Sequence, residues 1–88
     1  MKVRFRDSFA KDLATITDEA VLRRIQESIE RVEKAPAFQA IPNLKPLEAK
    51  GKYYRIRVGE YRLGLVFENG AFTFVRCLNR KDMYRYFP

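Results

Sequence analysis

The sequence predicts an α+β fold in the order βααβββ. A small antiparallel sheet carries a two-helix hairpin packed on one face. Three observations predict this: an N-terminal stretch alternates at the period of a strand, two amphipathic helical patterns follow it, and the second half holds three alternating runs separated by turn signals.

Met1 to Arg6 places Val3 and Phe5 on one face and Lys2, Arg4 and Arg6 on the other, the pattern of a half-buried strand. Asp7-Ser8 offers a helix N-cap. Phe9, Leu13 and Ile16 then recur at i, i+4 and i+7. Thr17 offers a second cap, with Asp18 and Glu19 where the helix dipole favours negative charge. Leu22, Ile25, Ile29 and Val32 form one apolar stripe, with Val21 beside it. Arg23, Arg24, Glu27, Glu30, Arg31 and Glu33 cover the opposite side, and Glu27 is placed to pair with Arg31 at i+4. Lys34-Ala35-Pro36 ends the helix, because the residue before proline resists helical geometry. The segment from Ala35 to Ala49 contains Pro36, Pro42 and Pro46 among Phe38, Ile41, Leu44 and Leu47, so it reads as a connection held down by apolar anchors.

Three strands follow: Tyr53 to Val58, Tyr61 to Phe67 and Ala71 to Leu78. Gly59-Glu60 makes the first turn, and Asn69-Gly70 is the strongest hairpin signal in the chain. Alternation puts Tyr54, Ile56, Val58, Tyr61, Leu63, Leu65 and Phe67 against the helices. It leaves Tyr53, Arg55, Arg57, Arg62, Gly64 and Val66 on the open face. Gly64 removes a side chain there, so another backbone can approach. Cys77 alternates with Val75 and Thr73 as a buried structural thiol.

The 88 residues fit one domain, 1–88, with 47% hydrophobic residues and no disordered or low-complexity tract. No apolar run approaches the roughly 20 residues that span a bilayer. The N-terminus MKVRFRDSF lacks the apolar stretch of a signal peptide, and the one cysteine cannot close an internal disulfide. The expected compartment is the cytoplasm, with no membrane partner.

The net charge is +7, and residues 45–88 hold ten Lys/Arg against four Asp/Glu, whereas residues 1–44 are nearly balanced. That asymmetry is the footprint of a protein that meets a polyanion. Arg55, Arg57 and Arg62 repel one another on one open face. They are most useful where guanidinium forks meet phosphates. The tail NRKDMYRYFP interleaves Arg80, Lys81 and Arg85 with Tyr84, Tyr86 and Phe87, a mixture suited to single-stranded nucleic acid, where charge follows the backbone and rings stack on bases. The chain has no histidine, so the usual general base, metal ligand and activated nucleophile pairs are absent. One cysteine with scattered carboxylates makes no zinc site, and there is no glycine-rich phosphate loop. No cofactor or metal is expected.

The βααβββ order, the hairpin YRIRVGEYRLGLVF and the closing LNRKDMYRYF together resemble the RelE/ParE superfamily of bacterial type II toxins, over nearly the whole chain. The RelE branch cleaves mRNA in the ribosomal A site, by attack of a ribose 2′-OH on the adjacent phosphate. The ParE branch shares the fold, poisons DNA gyrase and generally lacks the catalytic basic set. In both branches a cognate antitoxin wraps the toxin and holds it inactive. The resemblance therefore implies mRNA, the ribosome with its 16S rRNA, and an antitoxin as partners. It assigns catalytic roles to Arg55, Arg57, Arg62, Arg80 and Tyr84, with Tyr86 the second choice for the functional tyrosine. Lys50, Lys52, Arg76, Lys81, Arg85 and Tyr86 are the expected further RNA contacts.

Two departures from the family pattern stand out. Arg55 and Arg57 occupy positions where some relatives have lysine; arginine keeps its proton and suits charge stabilisation better than base catalysis. Asn79 stands where many relatives have histidine before the tail arginine. Tyr84, Tyr86, Lys50, Lys52 and Glu60 remain as candidate general bases. Three readings are open: a ribosome-dependent mRNA endonuclease, which leads, a ParE-like gyrase inhibitor, and an RNA-binding module without cleavage.

Overall fold

A computed structural model describes residues 1–47 and 51–88. In chain order they form strand β1 (Lys2–Phe5), helix α1 (Asp7–Ala14), helix α2 (Glu19–Lys34), a 3-10 turn (Phe38–Ala40), strands β2 (Leu44–Pro46), β3 (Tyr53–Val58), β4 (Tyr61–Glu68) and β5 (Ala71–Asn79), and helix α3 (Arg80–Tyr86). The strands make one sheet in the order β1-β5-β4-β3-β2. The α+β class and the three hairpin-linked strands are as the sequence predicts.

The sheet is mixed rather than wholly antiparallel, because Lys2–Phe5 runs parallel to Ala71–Phe74. A parallel pair needs a long crossover, and the two helices begin the one that returns the chain to β1. As an edge strand, β1 leaves Phe5 52% exposed, although its ring still stacks on Phe74 at 5.4 Å. The helices lie on one sheet face, but they pack on the sheet more than on each other: α1 covers β5, and α2 covers β3 and β1.

Both expected caps are corrected. Asp18, not Thr17, caps α2: its Oδ1 accepts from the backbone N–H of Ala20 at 2.9 Å and of Val21 at 3.4 Å. A carboxylate there meets both the free N–H groups and the helix dipole. In α1 no side chain caps the N-terminus, and the Ser8 hydroxyl instead donates to the Val75 carbonyl of β5. Ile25 and Val32 of the α2 stripe are buried, with Leu22 and Ile29 packed beside them, against Phe9, Ile56, Leu63, Leu65, Phe72 and Phe74.

The proline-rich connection is anchored as expected. Phe38 sets its ring edge-on to Tyr54 at 5.5 Å and to Phe67 at 4.9 Å. The connection also contains β2, which the sequence does not announce. Pro46 is tolerated because β2 is an edge strand. Gly59 takes φ +58° in the first hairpin turn, and Asn69 and Gly70 take +55° and +75° in the second.

The second face of the sheet is only half open. Leu78, Met83 and Phe87 form a separate buried cluster with Leu47, Tyr53 and Val75 packed against it. This cluster is the underside of α3, which folds back over β4 and β5. Gly64 allows it: a Cβ at that position would lie 2.8 Å from the Phe87 ring. The approach expected at Gly64 is therefore made by an aromatic ring of the same chain. A bulge supports the arrangement, since Gly64 pairs with Arg76 while Leu65 pairs with Phe74, leaving Val75 unmatched. The bulge reverses the alternation of β5. Cys77 joins Phe72 and Phe74 in the helix-side core, away from Val75, which joins the α3 cluster.

Two predictions follow from this packing. Gly64→Ala displaces Phe87 and destabilises the fold by about 1–3 kcal/mol in chemical denaturation, with α3 the first element to lose helicity. The Cys77 thiol is pushed up to about 12 by burial and then by the Asp12 charge, so a disulfide reagent at neutral pH leaves the folded protein unmodified and titrates one thiol in denaturant. The native state holds this proton more tightly than the unfolded chain, whose thiol ionises near the ordinary 9.0. The thiol's contribution is thus complete below that pH and lost as pH rises towards about 12, at up to about 1.4 kcal/mol per pH unit, a decline that Cys77→Ala removes.

Candidate active site and nucleic-acid interface

The open half of the sheet face is a field of positive charge set by strand register. Arg57 on β3 lies directly opposite Arg62 on β4, and Lys45 on β2 lies directly opposite Arg55 on β3. Period-2 alternation puts these four side chains on the same face. Lys45, Arg55, Arg57 and Arg62 line one pocket of about 220 Å³ together with Asn43. Like charges opposite one another oppose sheet formation.

The start of α3 completes the cleft. The Arg80 backbone N–H donates to the Glu60 carbonyl at 2.8 Å, tying the helix to the β3–β4 turn. Arg80 Nε also lies 3.4 Å from Glu60 Oε1. Arg80, Lys81, Met83 and Tyr84 then line a second pocket with Arg55 and Arg62. The Arg62 guanidinium is oriented by Nη1, which donates to the Gly59 carbonyl at 2.9 Å and the Tyr61 carbonyl at 3.0 Å. Burial pushes the Arg62 pKa down, and the charges of Arg55, Arg57 and Arg80 push it further, with Glu60 opposing. An arginine so displaced still keeps its proton at neutral pH.

The five residues assigned catalytic roles, Arg55, Arg57, Arg62, Arg80 and Tyr84, are therefore brought to one cleft, with Lys81 beside them. Tyr84 is 80% exposed, a ring free to stack on a base. Tyr86 points elsewhere: on a seven-residue helix, two positions apart means opposite sides, and Tyr86 lines a separate pocket with Arg6, Lys52, Tyr53 and Arg76.

Several expected RNA contacts stand apart from the cleft. Arg76 is committed to Asp12 of α1: its Nε donates to Oδ2 at 2.7 Å and its Nη2 to Oδ1 at 3.1 Å. Asp12 Oδ2 also accepts from the Cys77 backbone N–H at 2.9 Å, so this ion pair clamps α1 to the strand just beyond the bulge. That hydrogen bond is the leading cause of a raised Arg76 pKa. Arg76, expected as an RNA contact, thus also serves as a structural clamp, away from the arginine cleft. Lys52 lies 3.6 Å from Glu68, and Arg85 lies over the Tyr86 ring at 6.0 Å. Lys50 lies outside the described residues. Asn79 caps α3, its Oδ1 accepting from the Lys81 N–H at 3.1 Å.

Sequence reasoning missed Lys45 and Arg24. Lys45 sits between Leu44 and Pro46 in a strand masked by prolines. Arg24 falls on the outer side of the α2 helical wheel, yet it lines the edge of the cleft with Arg57, Arg62 and Arg80. The ion pairs among the described residues are Lys52–Glu68, Arg76–Asp12 and Arg80–Glu60, so the expected Glu27–Arg31 pair does not form.

Fold and cleft together define the class: a small α+β protein with a mixed sheet, whose one open half-face is an arginine cleft closed at one end by a C-terminal helix. The family described as ParE toxin of type II toxin-antitoxin system, parDE, matches residues 3–84. Toxin RelE3 of Methanocaldococcus jannaschii is 36% identical over 89 residues, covering 100% of both chains. The toxin fold in the RelB–RelE antitoxin–toxin complex from Methanococcus jannaschii superposes with a TM-score of 0.80 at 33% identity, covering 97% of this chain and 99% of that one. The YoeB dimer from Staphylococcus aureus shares the fold at a TM-score of 0.71 and 18% identity, covering 89% of this chain and 94% of that one. The chain belongs to the RelE/ParE family of type II toxin–antitoxin toxins.

The opposed Arg57–Arg62 pair predicts a trade of stability against charge. Arg57→Gln raises stability by roughly 0.5 kcal/mol at low salt, and the gain fades in molar salt, where screening acts over about 3 Å. Denaturant titrations at the two salt concentrations measure this.

Proposed function

We propose that this toxin is an endoribonuclease that cuts mRNA presented in the ribosomal A site. The observation that carries the reading is the convergence of Arg55, Arg57, Arg62, Arg80 and Tyr84 on one cleft, with Glu60 beside Arg57, Arg62 and Arg80. The reaction is attack of a ribose 2′-OH on the adjacent phosphorus, which yields a 2′,3′-cyclic phosphate and a free 5′-OH. Charge builds on the non-bridging oxygens as the phosphorane forms. Guanidinium groups already fixed in the cleft stabilise it without reorganising. Arg62, held by two backbone carbonyls, is the best oriented of them. Tyr84 stacks on a flanking base and sets the register of the strand.

Of the proton acceptors suggested by the sequence, Glu60 and Tyr84 stand at the cleft and Lys52 does not. With so little acid–base equipment, much of the acceleration must come from holding the 2′-OH in line with the phosphate. That is a reason for the ribosome to present the substrate. The Methanococcus jannaschii relative is known with RelB. By that analogy we assign this chain a cognate antitoxin, with acidic residues to neutralise the arginine cleft.

A second reading, a gyrase inhibitor without nuclease activity, is favoured by one observation, the match to the ParE family. Primer extension on an actively translated mRNA separates the two. Under the leading reading, cuts appear at A-site codons only when ribosomes are present. Arg62→Ala and Arg80→Ala each lower cleavage by roughly a hundredfold or more. Tyr84→Ala costs roughly tenfold or more through lost stacking, while Tyr86→Ala is close to wild type. Intact mRNA with double-strand DNA breaks after induction establishes the second reading instead.

A further inference from the structure

The arginine cleft continues past the β3–β4 hairpin onto α2. Asn43, in the turn before β2 with φ +63°, lines the main cleft beside Arg57 and also the adjoining depression beside Arg24. Arg24, exposed on α2, reaches across to the β3–β4 turn. A Cβ on Gly59 would lie 2.9 Å from Arg24 Nη1 and 3.5 Å from Cζ, so the guanidinium rests against the bare backbone of the turn. The positive φ of Gly59 calls for glycine there.

Among the described residues, Arg24 has no ion pair and no side-chain hydrogen bond. Its fork is thus chemically unused, in a depression that Asn43 and Arg57 also line. Glu27 and Arg31 line the same depression as the trio with opposed charges, and Glu60, at the cleft edge, lies beside Arg80, so Arg24 and Arg57 keep their two positive charges. Arg24, Asn43 and Arg57 offer what a phosphate monoanion requires: two planar forks and a neutral donor.

We propose that Arg24, Asn43 and the outer side of Arg57 form a second phosphate subsite, which takes the neighbouring phosphate of the RNA strand whose scissile phosphate lies at Arg62. The proposal rests on the endoribonuclease reading. It gives the bound strand a path, from the Tyr84 stack across the arginines to the α2 edge.

The test is binding of a fluorescent, uncleavable 2′-deoxy oligonucleotide to the full chain, titrated over a range of salt. Arg24→Ala is an exposed helical substitution to the best helix former, so the fold is retained. It weakens binding roughly tenfold at low salt and lowers the slope of log K against log salt by about 0.7, one phosphate contact on a single strand. Asn43→Gly keeps the backbone conformation, weakens binding and leaves the slope unchanged, since no charge is lost. Arg62→Ala serves as the comparator. If Arg62→Ala weakens binding while Arg24→Ala keeps the wild-type affinity and slope, the subsite is overturned and the nuclease reading stands. If neither variant changes binding, or the wild type does not bind at low salt, the subsite is overturned, and primer extension with ribosomes decides the nuclease reading separately.

Discussion

The contact between Phe87 and the bare backbone of Gly64 is the constraint on which the functional face depends. A side chain at position 64 would hold the last helix off the sheet. With glycine there, Phe87 and Met83 seat α3 over β4 and β5, and the far face divides in two. One half becomes a small apolar core with Leu78, Val75 and Tyr53. The other half remains open, and there the register of β2, β3 and β4 lines up Lys45, Arg55, Arg57 and Arg62. The hydrogen bond from Arg80 to Glu60 joins the two halves and sets the helix end at the cleft.

The fold treats its individual arginines differently. Arg76 lies on the same sheet and is matched by a bidentate carboxylate from α1, which also holds the bulge. Arg55, Arg57 and Arg62 have no such acid among the described residues. Arg62 donates instead to carbonyls, which orient a guanidinium and leave its net charge intact. Stability alone would favour neutral side chains at these positions, and their retention fits a surface whose counter-charge arrives with a partner.

What was legible in the sequence was local. Alternation located β3, β4 and β5, Asn69-Gly70 located their turn, and the 3.6-residue stripe located α2 and its end before Pro36. The arginine set was legible because alternation alone puts Arg55, Arg57 and Arg62 on one face. The rest depended on distant contacts. Helix α3 has seven residues, too few to show a period, and it forms because Phe87 finds Gly64. Strand β2 is hidden by prolines that only an edge position accepts. The bulge at Val75 is stabilised by Asp12, 63 positions earlier, and it moved Cys77 to the other face. Arg24 sits at the cleft because of where α2 lies on the sheet, which no helical wheel reveals.

The central claim is that the residues of three elements, β3, β4 and α3, act as one site on one strand of RNA. The most direct measurement is side-chain NMR of arginine Nε–H and tyrosine ring resonances during titration with an uncleavable single-stranded oligonucleotide. The account predicts that Arg55, Arg57, Arg62, Arg80 and Tyr84 respond together with a single affinity, while Arg76 and Tyr86 keep their shifts. A response confined to Arg76, Tyr86 and their pocket, or no shared response among the cleft arginines and Tyr84, would contradict it.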